Sequence, residues 1–191
     1  MITCYHGSSE LFKKFDLSKA GDGTGIKFGF GVYLTESEAS AVHYSQPRYH
    51  PLTEDHYLYT VEIPELTDDN HLVSAKPVPE TIVKRVEAKL GQSIPQEKTQ
   101  VGKEFRKWIG MTLTNSEKVC LESEKAAAEF LDSIGVIFNV WPQAQGKPDG
   151  LKNYAVFDAK KVHILKVEHI EVELKRDKYV LVKGSKKEVK L

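Results

Sequence analysis

The sequence predicts an α+β domain, on three observations. β-prone segments stand at both ends of the 191 residues, helix-period stripes fill the middle, and no linker rich in Pro, Gly and Ser divides the chain. Apolar residues make up 40% and charged residues 28%, ordinary globular usage that argues against a disordered or fibrous chain. This length suits one core, so a single domain over residues 1–191 is expected.

The first strand is expected at residues 2–5, running directly into His6-Gly7-Ser8-Ser9. A loop follows with five glycines in eleven residues: Gly21, Gly23, Gly25, Gly29 and Gly31, with Phe28 and Phe30 between them. Such a loop turns sharply and lets another group approach closely. Residues 32–34 read as a strand fragment, and Thr35 with Glu38 as a capping box opening a helix to about Ser45. Residues 57–63 alternate as a half-buried strand, with Tyr57, Tyr59, Val61 and Ile63 on one face, ended by Pro64.

Between Pro79 and Gly135 the apolar period becomes helical. The stripes are Ile82, Val83, Val86 and Leu90; Val101, Phe105, Trp108 and Ile109; and Ala127, Phe130, Leu131 and Ile134, with Gly91 and Gly135 where C-caps belong. These are core positions, and Trp108 is given no functional role. Strands return at 136–141, 153–158, 162–174 and 178–182, the last two joined through Arg176-Asp177.

Several function classes are set aside by composition. The 27 Lys and Arg balance 27 Asp and Glu, which argues against nucleic acid as partner, since a nucleic-acid binder carries a basic excess or stripe. Lys183, Lys186, Lys187 and Lys190 are interrupted by Glu188 and read as a solvated face. No window approaches the ~20 apolar residues of a membrane span. The start has no basic region followed by an apolar one, so no signal peptide is expected and a cytoplasmic setting is predicted. Cys4 and Cys120 read as buried small apolar residues. His43, His50 and His56 are too irregularly spaced for zinc, and no metal is expected. No GxxxxGK[ST] occurs, and Gly21-x-Gly-x-Gly does not open a helix after a strand as a dinucleotide fingerprint would.

Three pieces remain: His6-Gly7 after the first strand, residues 29–35 with Tyr33, and residues 150–158 with Asn153. In this order they resemble the ADP-ribosyltransferase superfamily, in the branch shared by diphtheria-like toxins and poly(ADP-ribose) polymerases. That branch carries a His on the first strand, a Tyr on a later one and a third residue, often Glu, opening a strand near the end. The chain is most similar to the small transferases in polyvalent proteins of phages and conjugative elements. Their YHGS start, FGxGVYLT segment with its Ala-rich helix, and helix-Gly-strand-loop-NYVVFD unit correspond to residues 5–8, 28–35 and 126–158 here. The likeness covers residues 1–46 and about 124–166; about 65–123 matches nothing and reads as a mostly helical insertion.

The resemblance implies a split antiparallel β-sheet with NAD as co-substrate in the cleft between its halves. The nicotinamide of NAD is already cationic before it leaves, so no general acid is needed. The site must clamp the ring, hold the ribose and stabilise an oxocarbenium-like centre. The backbone of Gly7 would take the carboxamide, glycine letting it close in. By the same resemblance His6 would hold adenosine-side ribose hydroxyls, Tyr33 would stack on the nicotinamide, and Tyr44, eleven positions on, would cover its other face. Ser8, Gly29 and Gly31 would complete the dinucleotide's surroundings, while Asp16 and Lys19 would border its phosphates or be solvated. A serine that the polymerases use for the carboxamide is Ala41 here.

Asn153 stands where the polymerases have Glu. Its amide keeps the hydrogen bond to the ribose 2′-hydroxyl and loses the charge. Polymer building is therefore not expected, and the implied activity is transfer of a single ADP-ribose to a macromolecule, in the first place a protein. The alternatives are NAD hydrolysis and a catalytically inactive module binding NAD or ADP-ribose. Asp149, the carboxylate nearest in sequence, reads first as a turn residue before Gly150.

Overall fold

Strand alternation and three apolar-striped helices assemble into a sheet with helices on one side. The structure is a computed structural model that describes residues 1–20, 26–46, 52–143 and 150–191. The main sheet contains β1 (Ile2–Ser8), β2 (Val32–Thr35), β3 (His56–Ile63), β4 (His71–Val73), β5 (Phe138–Pro142), β6 (Lys152–Val156), β7 (His163–Ile170) and β10 (Lys187–Glu188). Their order is β10-β7-β3-β1-β2-β6-β5-β4, and only β4 and β5 run parallel. β8 (Val172–Lys175) and β9 (Lys178–Leu181) form a separate two-stranded ribbon. The helices are α1 (Glu38–Tyr44), α2 (Glu80–Leu90), α3 (Gln96–Thr99), α4 (Gly102–Thr114) and α5 (Leu121–Ser133). The α+β class holds, and no helix among the described residues is long and apolar enough to cross a membrane.

The sheet is two half-sheets with a narrow join. β1 pairs with β3 along its whole length, from Ile2↔Ile63 to Ser8↔Tyr57. With β2 it shares one register pair, Tyr5↔Thr35. β2 in turn pairs fully with β6, from Val32↔Val156 to Thr35↔Asn153.

Alternation then sorts the side chains by face. Cys4, Val32, Leu34, Tyr59, Val61, Phe138, Tyr154 and Val156 make one core, which the first loop closes with Phe12, Phe15 and Leu17. The other face is covered by two separate groups. α1 lies over β1 and β3 through Ala41, Val42, Leu58 and Ile170. α2, α4 and α5 cover the β4 end through Leu72, Ile82, Val86, Phe105, Ile109, Ala127 and Leu131, the stripes expected from sequence. Tyr33, Thr35, Asn153 and Trp141 occupy the stretch of sheet between these groups.

Gly7 fixes how near α1 comes. A Cβ there would lie 1.8 Å from the Ala41 carbonyl oxygen and 2.8 Å from the Ser45 nitrogen. The space freed by this glycine is thus filled by the backbone of α1, so closeness to a ligand is not what requires it.

Four expectations change. α1 is capped by Ser37, whose side chain accepts from the Ser40 N–H, and Thr35 instead accepts from the Ser37 N–H. The mostly helical middle third also contains β4, a parallel edge strand three residues long that was not expected. The strand expected at 162–174 breaks at Glu171: β7 stays in the main sheet and β8 turns away to pair with β9. Cys4 is buried, but Cys120 is exposed at the N-cap of α5. Gly21, Gly23, Gly25, His50 and Asp149 lie outside the described residues.

The helical block contains a buried ion pair that patterning does not announce. Arg106 of α4 and Glu124 of α5 bond to each other with 0% and 2% of their side chains exposed. Burial lowers the Arg106 guanidinium to a pKa of about 10. Removing one partner leaves a buried charge uncompensated, which costs about 3 to 5 kcal/mol, whereas replacing both by apolar residues is often neutral. Arg106→Met should therefore lower unfolding free energy by about 3 kcal/mol or more, and Arg106→Met with Glu124→Leu should recover most of it in urea titrations. Additive losses in the double variant would contradict the pairing.

Candidate functional site

The site is built where β1 and β2 part. Beyond the Tyr5↔Thr35 pair the Tyr33 carbonyl is met by a side chain: His6 Nδ1 lies 2.9 Å from it. A carbonyl only accepts, so Nδ1 carries the proton and Nε2 presents a lone pair. Alternation puts the His6 ring on the Cys4 face, edge-on to Phe12, Phe15 and Tyr59 at centroid distances of 6.1, 5.1 and 6.2 Å. Burial there holds its pKa below the ordinary 6.5, against the opposing pull of the Tyr33 carbonyl.

Tyr33 points to the opposite face, as its position between Val32 and Leu34 requires. Its hydroxyl donates to the Gly29 carbonyl at 2.9 Å and accepts from the Phe28 N–H at 3.0 Å. The ring is thereby tied to the incoming glycine segment, and its edge faces Trp141 at 5.6 Å. Phe28 stacks flat on Trp141 at 4.1 Å and 4°. Gly29 has φ of 108° and sits against the Arg106 guanidinium, while a Cβ on Gly31 would lie 2.5 Å from the Val156 carbonyl oxygen. Both glycines are therefore accounted for by contacts within the protein.

Asn153 shares Tyr33's face, level with Thr35 on one side and Trp141 on the other. It is half-buried, and its amide makes no hydrogen bond to another described residue. The structure thus gathers Tyr33 and Asn153 with Gly7 nearby, and sends the His6 ring to the other side of the sheet. Tyr44, at the end of α1, is 56% exposed and its ring contact is with His43 at 5.0 Å. Ser8 accepts from the Glu10 N–H and shapes the turn after β1. Asp16 caps a short 3₁₀ turn through Ser18, and Lys19 bonds Glu10.

Four participants were not singled out from sequence. Trp141 supplies the aromatic wall. Asn139, fully buried, donates to the Phe28 carbonyl at 2.7 Å and exchanges hydrogen bonds with the Ser74 hydroxyl. Glu36 accepts from the Lys152 N–H at 2.8 Å and from the Tyr154 hydroxyl at 2.5 Å, the two residues flanking Asn153. It grips β6 from the face opposite to the one that Asn153 shares with Tyr33. The Tyr154 hydroxyl is pushed up by burial first and by Glu36 second, so it remains a donor. The one available signal was alternation: Asn139 is a polar residue in an otherwise apolar strand, and Trp141 falls on its face.

The row from Tyr33 to Trp141 is uncharged and aromatic on one side, with an amide that bonds to no other described residue. Such a surface suits a planar heteroaromatic group attached to a hydroxylated moiety. No protein-family model matches the chain. No curated protein matches it. No solved structure matches it.

The His6 environment has a pH signature. Its folded pKa lies below the unfolded 6.5, so between those values the unfolded chain binds more protons. This contribution is complete above pH 6.5 and is lost as pH falls below it. Imidazole nitrogen NMR should show the Nδ1–H tautomer and a midpoint below 6.5. A midpoint above that value, or the Nε2–H tautomer, would contradict the bond to Tyr33.

Proposed function

We propose that the chain binds NAD and transfers a single ADP-ribose from it to a macromolecular acceptor, in the first place a protein, in a cytoplasmic setting. The observation that carries this reading is that Tyr33 and Asn153, brought together with Trp141, share one uncharged face at a join between two half-sheets. A split antiparallel sheet of the ADP-ribosyltransferase type is part of the same proposal. Its halves here would be β10-β7-β3-β1 and β2-β6-β5-β4.

The chemistry asks for little proton handling. The bond between ribose C1′ and the nicotinamide nitrogen breaks with its electron pair going to the cationic ring, which leaves neutral. The acceptor's nucleophile then forms the new bond to C1′ and gives up its proton to solvent. In this reading the nicotinamide stacks on Tyr33, which Trp141 braces edge-on, and the Asn153 carbonyl oxygen accepts from the ribose 2′-hydroxyl as positive charge develops. His6, on the opposite face of the sheet, acts as a positioning residue whose Nδ1–H donates to the Tyr33 carbonyl. Glu36 acts through Asn153 by fixing the two residues beside it.

One observation favours a second reading, in which the cleft binds NAD or ADP-ribose without cleaving it. Asn153 offers a dipole where a carboxylate would give a full charge to the forming cation, and the row around it holds no other charge. One experiment separates the two. With saturating NAD, the transferase reading expects nicotinamide release, and Asn153→Ala should slow it by about 10² to 10³, the range for losing one transition-state hydrogen bond. The variant's affinity for NAD should change less than about tenfold. Binding without release from the unmutated protein assigns the module; absence of both release and binding by calorimetry overturns NAD as ligand.

A further inference from the structure

We propose that the β8–β9 ribbon and the end of α1 form a docking surface for an acidic, extended polypeptide segment. Charge is the first argument. Residues 172–191 hold seven Lys and Arg against three Asp and Glu, while the other 171 residues hold 20 against 24. A neutral chain thus concentrates its positive charge in this stretch. Within it Lys175 pairs with Glu173, and Lys186 with Glu38 and Glu168. Arg176, Lys178, Lys183, Lys187 and Lys190 are exposed and make no ion pair with a described residue.

Shape is the second argument. Register places Val172, Leu174, Tyr179 and Leu181 on one face of the ribbon. Val172 and Leu181 pack down onto the α1 layer. Leu174, nearer the tip, reaches beyond it and is 61% exposed. Tyr179 rests between, its N–H donating to His43 Nδ1 at 3.2 Å and its ring 6.2 Å from the His43 ring. Leu174, Tyr179, His43 and the exposed Tyr44 therefore form an apolar and aromatic strip on one face of the ribbon, with Arg176 in the turn beyond it. Lys175 and Lys178 are paired on the opposite face, so that an added strand alternating acidic and apolar side chains would meet both. Arg176 and Asp177 both have left-handed φ, 48° and 64°, the signature of a tight two-residue hairpin turn that holds the tip rigid. α1 meets the outer edge of β9 through the His43–Tyr179 bond, whereas β8 pairs with no described strand but β9, and extended peptides pair with such an edge.

An acidic peptide with interspersed apolar side chains fits this combination. A nucleic acid fits it less well, because Glu173, Asp177 and Glu188 interrupt the cations and the rest of the chain carries an acidic surplus. The strip ends at Tyr44, next to Ser45, whose nitrogen lies against Gly7 at the cleft. Calling the docked segment the acceptor rests on the transferase reading; the docking itself does not.

The test is fluorescence anisotropy with a labelled peptide of about 12 residues that alternates Glu with Leu and Val. Comparison probes are the same peptide with Lys for Glu, and an oligo-dT of about 20 nucleotides. The acidic peptide should bind, weaken on raising salt from about 50 to about 200 mM, and lose at least about tenfold in affinity with Arg176→Glu and Lys178→Glu together. Leu174→Ser should weaken it at unchanged salt dependence. Equal binding of the Lys peptide, tighter binding of the oligo-dT, no binding of the acidic peptide, or indifference to the charge reversal would overturn the proposal. NAD binding, measured on the same samples, separates its failure from failure of the transferase reading.

Discussion

β1 and β2 touch at one residue pair, Tyr5 with Thr35, and the surroundings of the cleft follow from the way these strands part beyond it. An antiparallel strand normally answers each carbonyl with a neighbouring N–H. Where β1 leaves β2, the Tyr33 carbonyl would lose that partner, and the His6 ring takes its place. A hydrogen bond of this kind is worth about 1 kcal/mol net, and leaving such a buried group unmet costs about 1 to 3. The same imidazole thus maintains the seam and has its tautomer set by it. On the other side, α1 can lie directly on β1 only because residue 7 has no side chain.

The segment entering β2 is held at nearly every polar atom. Phe28 has its N–H on the Tyr33 hydroxyl and its carbonyl on Asn139, while the Gly29 carbonyl takes the Tyr33 proton. Phe28 and Trp141 add a flat stack, an arrangement worth about 0.5 to 1.5 kcal/mol beyond the area it buries. The aromatic wall therefore keeps little side-chain freedom, the preorganisation that the proposed NAD site would call for.

Much of this was readable in the residues, and the reasons for the gaps are physical. β3 declared itself by alternation, and the three long helices by their apolar stripes; Gly91 and Gly135 end α2 and α5 with φ of 70° and 83°. His71-Leu72-Val73 is too short for any period to show, so β4 was hidden until β5 lay beside it. The run from 162 to 174 has no break in its strand character, and only tertiary pairing turns the chain aside at Glu171. Tyr33 and Asn153 were marked by motif, but Glu36 and Asn139 act through partners more than 100 residues away in sequence, at separations of 116 and 111. Arg106 and Glu124 likewise look like ordinary surface charges in sequence. The face to which His6 turns follows from Cys4 two residues earlier, once Cys4 is known to be buried.

Ser74 bonds Asn139 with its hydroxyl, while its backbone carbonyl accepts from the Lys103 N–H at the start of α4 and its N–H donates to Val140. The start of α4 and the aromatic wall thus share Ser74 as a common partner. A sliding of α4 along the sheet edge strains the bonds of Ser74, then those of Asn139, then the carbonyl of Phe28 and the ring of Tyr33 beside it. The stretch that matched no motif is in this sense a brace, bonded through Ser74 and Asn139 to the backbone that carries the aromatic wall.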